Sequence, residues 1–234
     1  MKTKDLKRLL NLNFTDVTNK THSVGEYDLP YIAAKITKYP DYIALYKDKG
    51  DYLRTDRTCV SFYNYDNAFD GLSSIWNAIY YDVAEWKNFY RERFAGVKYF
   101  IAPDYSLCGD INKIENLHRL FRARIVSIWL TLELNAVVIP NITYSNEEIF
   151  PNMLDGMENC EVVAFSTKGL RNSGKKLSLM KKALRYTVDN LPKLRTIIIY
   201  TLSKDDEKIY SWFDYAVQHE IKLIIPSNRS RRRA

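Results

Sequence analysis

Residues 97–106 read Val97-Lys98-Tyr99-Phe100-Ile101-Ala102-Pro103-Asp104-Tyr105-Ser106, an apolar run that stops at a proline and passes into a polar tail. The same pattern returns four times: Ala136–Ile139 before Pro140-Asn141, Val162–Phe165 before Ser166-Thr167-Lys168-Gly169, Thr196–Tyr200 before Thr201, and Ile221–Ile225 before Pro226-Ser227-Asn228. Segments with helical spacing lie between these runs. Strands that alternate with helices predict a parallel sheet, and such sheets gather ligands at the carboxyl ends of their strands. The fold class is therefore α/β with a mainly parallel sheet and alternating helices, with a partial or distorted (β/α) barrel as its curled variant.

Upstream, Tyr42–Tyr46 and Cys59–Tyr63 read as two more strands around the polar loop Lys47–Arg57, which makes seven candidates. Leu72, Ile75, Trp76, Ile79, Val83 and Trp86 form a helical stripe with a break near Asp82. Ile114, Leu117, Phe121, Ile125, Ile128 and Leu132 form a second, stopped by Asn135. Ser145 and Glu148 have capping-box spacing for a short helix ending near Asp155-Gly156. Ser178–Asp189 and Asp205–Gln218 supply the last two helices. In residues 1–40, Leu6, Leu9 and Leu10 suggest one short helix, and Leu29–Ile36 reads as either helix or strand. The organisation expected is an N-terminal extension (1–40) packed on a single α/β domain (41–228), with a basic tail (229–234).

The chain has 234 residues, 46% of them hydrophobic, which excludes wholesale disorder. No run of about 18 apolar residues occurs, and the Met1-Lys2-Thr3-Lys4-Asp5 start lacks the apolar stretch of a secretory signal. A cytoplasmic protein without a membrane partner is expected. Cys59, Cys108 and Cys160 are odd in number and widely spaced, which disfavours a disulfide framework and a zinc ribbon. His22, His118 and His219 share no metal-ligand spacing, so no metal site is assigned.

The net charge of +7 is unevenly spread. Residues 162–188 contain no Asp or Glu but hold Lys168, Arg171, Lys175, Lys176, Lys181, Lys182 and Arg185; Arg229, Arg231, Arg232 and Arg233 add more at the end. Segregated charge of this kind suits a DNA or RNA partner, or a nucleotide or other phosphorylated ligand. The plain alternative is a solvated helix face. Eighteen tyrosines and four tryptophans add stacking surfaces for unpaired bases, although Trp76, Trp86 and Trp129 belong to core stripes.

Two chemistries are open at the strand ends. Asp104, placed by Pro103, is a candidate acid/base with Asp66 as its partner; the competing reading is that Asp104 and Ser106 cap the following turn. Ser166, Thr167, Lys168 and Gly169, with Asn141 and Thr201, are candidates for an anion site. Gly169–Lys176 comes close to a phosphate-binding loop, but Lys176 stands where the magnesium-binding Ser or Thr belongs. Arg122 and Arg124, two apart on a helix, point about 200° from each other and cannot line one pocket.

The succession Tyr99–Leu107, Phe121-Arg122-Ala123-Arg124, Val138-Ile139-Pro140-Asn141 and Val162–Gly169 resembles the bacterial and phage family called domain of unknown function 4417, and Phe62–Phe69 resembles its first strand and acidic, aromatic turn. The likeness covers about residues 59–226. Tyr144 replaces an expected tryptophan, and Thr167-Lys168-Gly169 replaces a Thr-His-Gly-like sequence, so a role tied to that histidine does not carry over. The resemblance implies an α/β domain often encoded by mobile elements, and brings no cofactor, established activity or catalytic residues. Three functions follow: nucleic-acid or nucleotide binding through the basic face beside a strand-end pocket; a pocket enzyme acting on a small phosphorylated or polar metabolite with Asp104 as acid/base; and a host-directed interaction module without catalysis.

Overall fold

In a computed structural model, which describes residues 15–52, 57–170 and 173–232, each candidate strand is found, and the alternation of apolar faces explains their placement. The strands are β1 (Ser23–Val24), β2 (Leu29–Pro30), β3 (Tyr42–Leu45), β4 (Thr58–Ser61), β5 (Tyr99–Ile101), β6 (Val137–Ile139), β7 (Val162–Ser166), β8 (Thr196–Tyr200), β9 (Lys222–Ile224) and β10 (Ser227–Asn228). Ile43, Cys59, Tyr99, Ile101 and Ile139 face one core, while Tyr42, Ala44, Val60, Phe100 and Val138 face another. Successive strand residues point to opposite faces, so one strand serves both cores.

All main-sheet pairings are parallel. One sheet runs β10-β3-β4-β5-β6 and a second runs β7-β8-β9. Among the described residues the two meet at one isolated bridge, Asn141 to Ala164, where Ile142 N–H donates to Ala164 O and Ala164 N–H to Pro140 O. The hydrogen bonding thus describes two parallel sheets in contact, and a closed barrel is not shown. At the other side, Asn228 Nδ2 donates to Thr201 O at 2.8 Å, tying β10 to the end of β8.

The helices are α1 (Thr15–Thr18), α2 (Ile75–Tyr80), α3 (Ala84–Phe94), α4 (Lys113–Leu134), α5 (Phe150–Leu154), α6 (Gly174–Asn190), α7 (Asp206–Trp212), α8 (Asp214–Gln218) and α9 (Arg229–Arg232). The break expected near Asp82 is present, with φ +54° at that residue, and Asn135 ends α4 in the left-handed conformation. Two details differ from the sequence reading, and one boundary is made definite. Ser145 and Glu148 form no capping box: Ser145 Oγ lies 3.4 Å from Asn116 Nδ2, and a 3-10 turn covers Glu147–Ile149. Helix α6, which contains the Ser178–Asp189 stretch, begins at Gly174, where Ser173 Oγ accepts from Lys176 N–H as its cap. The helix expected over 205–218 is two short ones, separated at Phe213, which is fully buried.

The N-terminal residues pack on this frame. Ile32 N–H donates to Gly156 O and Glu161 N–H to Ala34 O, while Leu29 and Ala34 are buried. Leu29–Ile36 is neither a full helix nor a full strand; only Leu29–Pro30 is extended, paired antiparallel with β1. The proposed helix at Leu6–Leu10 lies outside the described residues.

Candidate functional site

Pro103 ends β5 and delivers Asp104 to the carboxyl end of the sheet, where two side chains from the end of β6 meet it. Asn141 Nδ2 donates to Asp104 Oδ1 at 2.7 Å, and the Thr143 hydroxyl lies 3.2 Å from the same oxygen. Tyr63, just past β4, donates its hydroxyl to Asn141 Oδ1 at 2.6 Å and stacks on Tyr200 of β8, ring centroids 4.9 Å apart. Asp104 Oδ2 accepts no hydrogen bond among the described residues. The carboxyl is therefore oriented through one oxygen by residues that follow β6, and it does not serve as a helix cap.

Partial burial raises the Asp104 carboxyl to about 6; the Thr143 and Asn141 hydrogen bonds and the Lys168 charge pull it down, while the Asp66 charge pushes it up. Lys168 stands at the end of β7. Its ammonium donates to Tyr63 O at 3.0 Å and lies 4.8 Å from the centre of the exposed Tyr65 ring. Desolvation lowers the Lys168 ammonium below its ordinary value, and the Asp104 charge opposes that shift.

A pocket of about 550 Å³ opens beside this cluster, and its walls come from the ends of β7 and β8 and from α7. Lys168 is shared between pocket and cluster, whereas Asp104 does not line the pocket. Thr167, Gly169 and Thr201 line it too. Gly169 has φ +83°, a conformation that side-chain-bearing residues rarely adopt and that lets the chain turn immediately after Lys168. The hydroxyls are locally engaged: Ser166 Oγ accepts from Lys168 N–H, Thr167 Oγ1 lies 3.4 Å from Tyr200 O, and Thr201 Oγ1 accepts from Ser203 N–H.

Asp66, the residue paired with Asp104 from sequence, has hydrogen-bond partners of its own. Its carboxylate accepts from Ser106 N–H and from the Ser106 hydroxyl at 2.9 Å, and Arg119 Nη1 lies 3.5 Å away while donating to Ser106 O at 2.7 Å. Asp66 and Asp104 are not hydrogen-bonded to one another; they interact through charge. Asp66 is thus a clasp on the loop that carries Asp104.

The family model described as Domain of unknown function (DUF4417) matches residues 21–216. The chain belongs to that family. The match begins well before the residue-59 boundary read from sequence and takes in the β1–β2 segment. No curated protein and no solved structure matches.

In this DUF4417 chain the basic residues of α6 do not form one uniform face. Lys175, Lys181, Lys182 and Arg185 fall within about 120° of arc, with Lys176 about 100° away from Lys175. Lys182 pairs with Glu147, the Arg185 guanidinium lies 5.1 Å from the Tyr215 ring, and Lys181 Nζ is 3.5 Å from Ser211 O. Lys175 and Lys176 are exposed and have no ion-pair partner among the described residues. Arg171 lies outside the described residues. In the tail, Arg229 pairs with Asp48 and Arg231 with Asp206.

Arg122 and Arg124 diverge as their spacing requires. Arg122 pairs with Asp70 and lies over the Tyr105 ring, whereas buried Arg124 donates to Met153 O at 2.9 Å and Asp155 O at 3.2 Å. Cys59 and Cys160 are buried, and desolvation pushes both thiols up. Among the described residues no group of three His, Cys, Asp or Glu side chains is placed to hold a metal ion, and no helix is long and apolar enough to cross a membrane.

Sequence reading missed Tyr63, Thr143 and Trp212. Thr143 had a usable signal: it stands two residues after Asn141 in extended chain, and so on the same side. Tyr63 had been counted only as strand. Trp212 comes from the last turn of α7, whose separation from α8 was not foreseen.

Proposed function

We propose that this DUF4417 protein is an enzyme that moves a proton on a small anionic metabolite, with Asp104 as the acid/base. The observation that carries the reading is the oriented Asp104 carboxyl, held through Oδ1 by Asn141 and Thr143 at the strand ends and titrating near 6. A group poised near the working pH accepts and returns a proton with little bias either way. Above its midpoint Asp104 is a carboxylate, and Oδ2 is the free acceptor for a substrate proton. The Lys168 ammonium nearby supports negative charge that develops on the substrate.

The test is to incubate a mixture of phosphorylated and carboxylated metabolites with wild type and with Asp104→Asn, and to follow both by mass spectrometry. A compound consumed by wild type and consumed about 10²–10⁴-fold more slowly by the variant supports the reading. Equal consumption by both removes Asp104 from the chemistry.

A second reading has its own observation: Lys175 and Lys176 are exposed and unneutralised at the start of α6. They favour a phosphate backbone, and counterion release makes such binding steeply salt-dependent. Fluorescence anisotropy with labelled DNA and RNA at several salt concentrations tests it. Binding that weakens with salt and is lost in Lys175→Glu/Lys176→Glu supports this reading, and binding unchanged by that variant contradicts it.

A further inference from the structure

Resting on the strand-end enzyme reading, we infer that the pocket beside Lys168 takes a nucleoside monophosphate, with the phosphate among Lys168, Lys204 and Lys208 and the base against Trp212. Three lysines line this pocket, and Asp205 is its one acidic residue. The Asp205 carboxylate already accepts the Lys208 N–H as the cap of α7, so it is directed to the backbone. The lining is therefore electropositive. Lys204 and Lys208 are exposed, with no ion-pair partner among the described residues, and are free to meet an anion.

The wall opposite in character is apolar: Leu202, Ile209 and the half-buried Trp212. Lys208 Nζ lies 5.8 Å from the centre of the Trp212 ring, so the cation and the aromatic surface are adjacent. A doubly charged group next to a flat apolar one matches that pair, because base-on-aromatic stacking is worth about 1–3 kcal/mol and tolerates any base. The volume of about 550 Å³ lies within the ordinary range for small-molecule sites, about 300–1,000 Å³, and has room for one mononucleotide. Lys168 lies between the bound phosphate and the Asp104 cluster, so the ligand's anionic end is directed toward the acid/base.

The experiment is calorimetric titration with AMP, GMP, CMP and UMP, with adenosine, ribose 5-phosphate and a 5′-phosphorylated oligonucleotide as comparisons. At least one monophosphate is expected to bind in the micromolar range, with adenosine and ribose 5-phosphate each about tenfold or more weaker, and the oligonucleotide weaker than the free monophosphate. Lys204→Ala/Lys208→Ala, both on exposed positions, is expected to lose about tenfold or more, and Trp212→Leu a similar amount. Turnover of a bound monophosphate by wild type and by Asp104→Asn is followed as a separate readout, so that loss of binding and loss of chemistry are told apart. No monophosphate binding, equal binding of adenosine, of ribose 5-phosphate or of the oligonucleotide, or full affinity in the double-lysine variant would each overturn the assignment, whatever Asp104 is found to do. Should Trp212→Leu fail to fold, ribose 5-phosphate alone decides the contribution of the ring.

Discussion

Asn141 donates its amide to Asp104 Oδ1 across 2.7 Å while the Tyr63 hydroxyl donates to the carbonyl oxygen of the same Asn141 amide. That relay fixes which end of the Asn141 amide faces the carboxyl, and it joins the ends of three neighbouring strands, β4, β5 and β6. A single residue thereby converts the polar tails of separate strands into one oriented acid.

Two neighbours should move the Asp104 titration in opposite directions. The Thr143 hydroxyl stabilises the carboxylate and the Asp66 charge destabilises it. Thr143→Val should therefore shift the acidic limb of the pH–activity profile upward, and Asp66→Asn should shift it downward. Profiles of both variants against wild type check this; shifts of the same sign would contradict the assigned causes.

Replacing Lys168 should give an upward shift as well, for a different reason. Its positive charge lowers the Asp104 titration, so Lys168→Met removes that assistance. The variant should also bind anionic ligands about tenfold or more weakly, an effect Thr143→Val lacks. Comparing the two by titration and by pH profile separates charge from hydrogen bonding.

Stability should depend on pH at Asp104 in a defined sense. The folded carboxyl titrates at about 6, above its ordinary 3.8, so the unfolded chain loses this proton first. Stability contributed by the protonated form is full below 3.8 and falls as pH rises toward 6. Asp104→Asn removes that loss, and at pH 7 it should be more stable than wild type by about 1–2 kcal/mol, below the full linkage value because the site is partly solvated. The difference should vanish near pH 4. Denaturant unfolding at both pH values checks the prediction, and a variant less stable at pH 7 would contradict it.

Much of this fold was legible because parallel strands buried on both faces appear as unbroken apolar runs, and Pro103 and Pro140 marked where two of them end. The position of Asp104 followed from the same proline. The partnership of Asp104 with Asn141 and Thr143 did not, since it joins residues 37 and 39 positions apart and depends on β5 lying beside β6. Asp66 illustrates the same limit: sequence placed it at a strand end, but only packing of α4 puts Arg119 against it. The charge run of 162–188 was legible as composition, while its division among Glu147, Tyr215 and solvent depends on tertiary neighbours.

Arg124 offers a test of structure apart from function. Its buried guanidinium serves two backbone carbonyls next to α5, and burial lowers it to about 10. Arg124→Ala should cost about 3 kcal/mol by leaving buried carbonyls without that donor and a space in the core. A loss within about 0.5 kcal/mol, the range of ordinary surface changes, would show that the arginine is not needed there.

The strand-end environment holds Asp104 as an acid that titrates near 6. Carboxyl carbon-13 chemical shifts followed against pH, with the resonance assigned by its absence in Asp104→Asn, measure this directly. A midpoint near 6 is expected; a midpoint at the ordinary 3.8 would contradict that assignment.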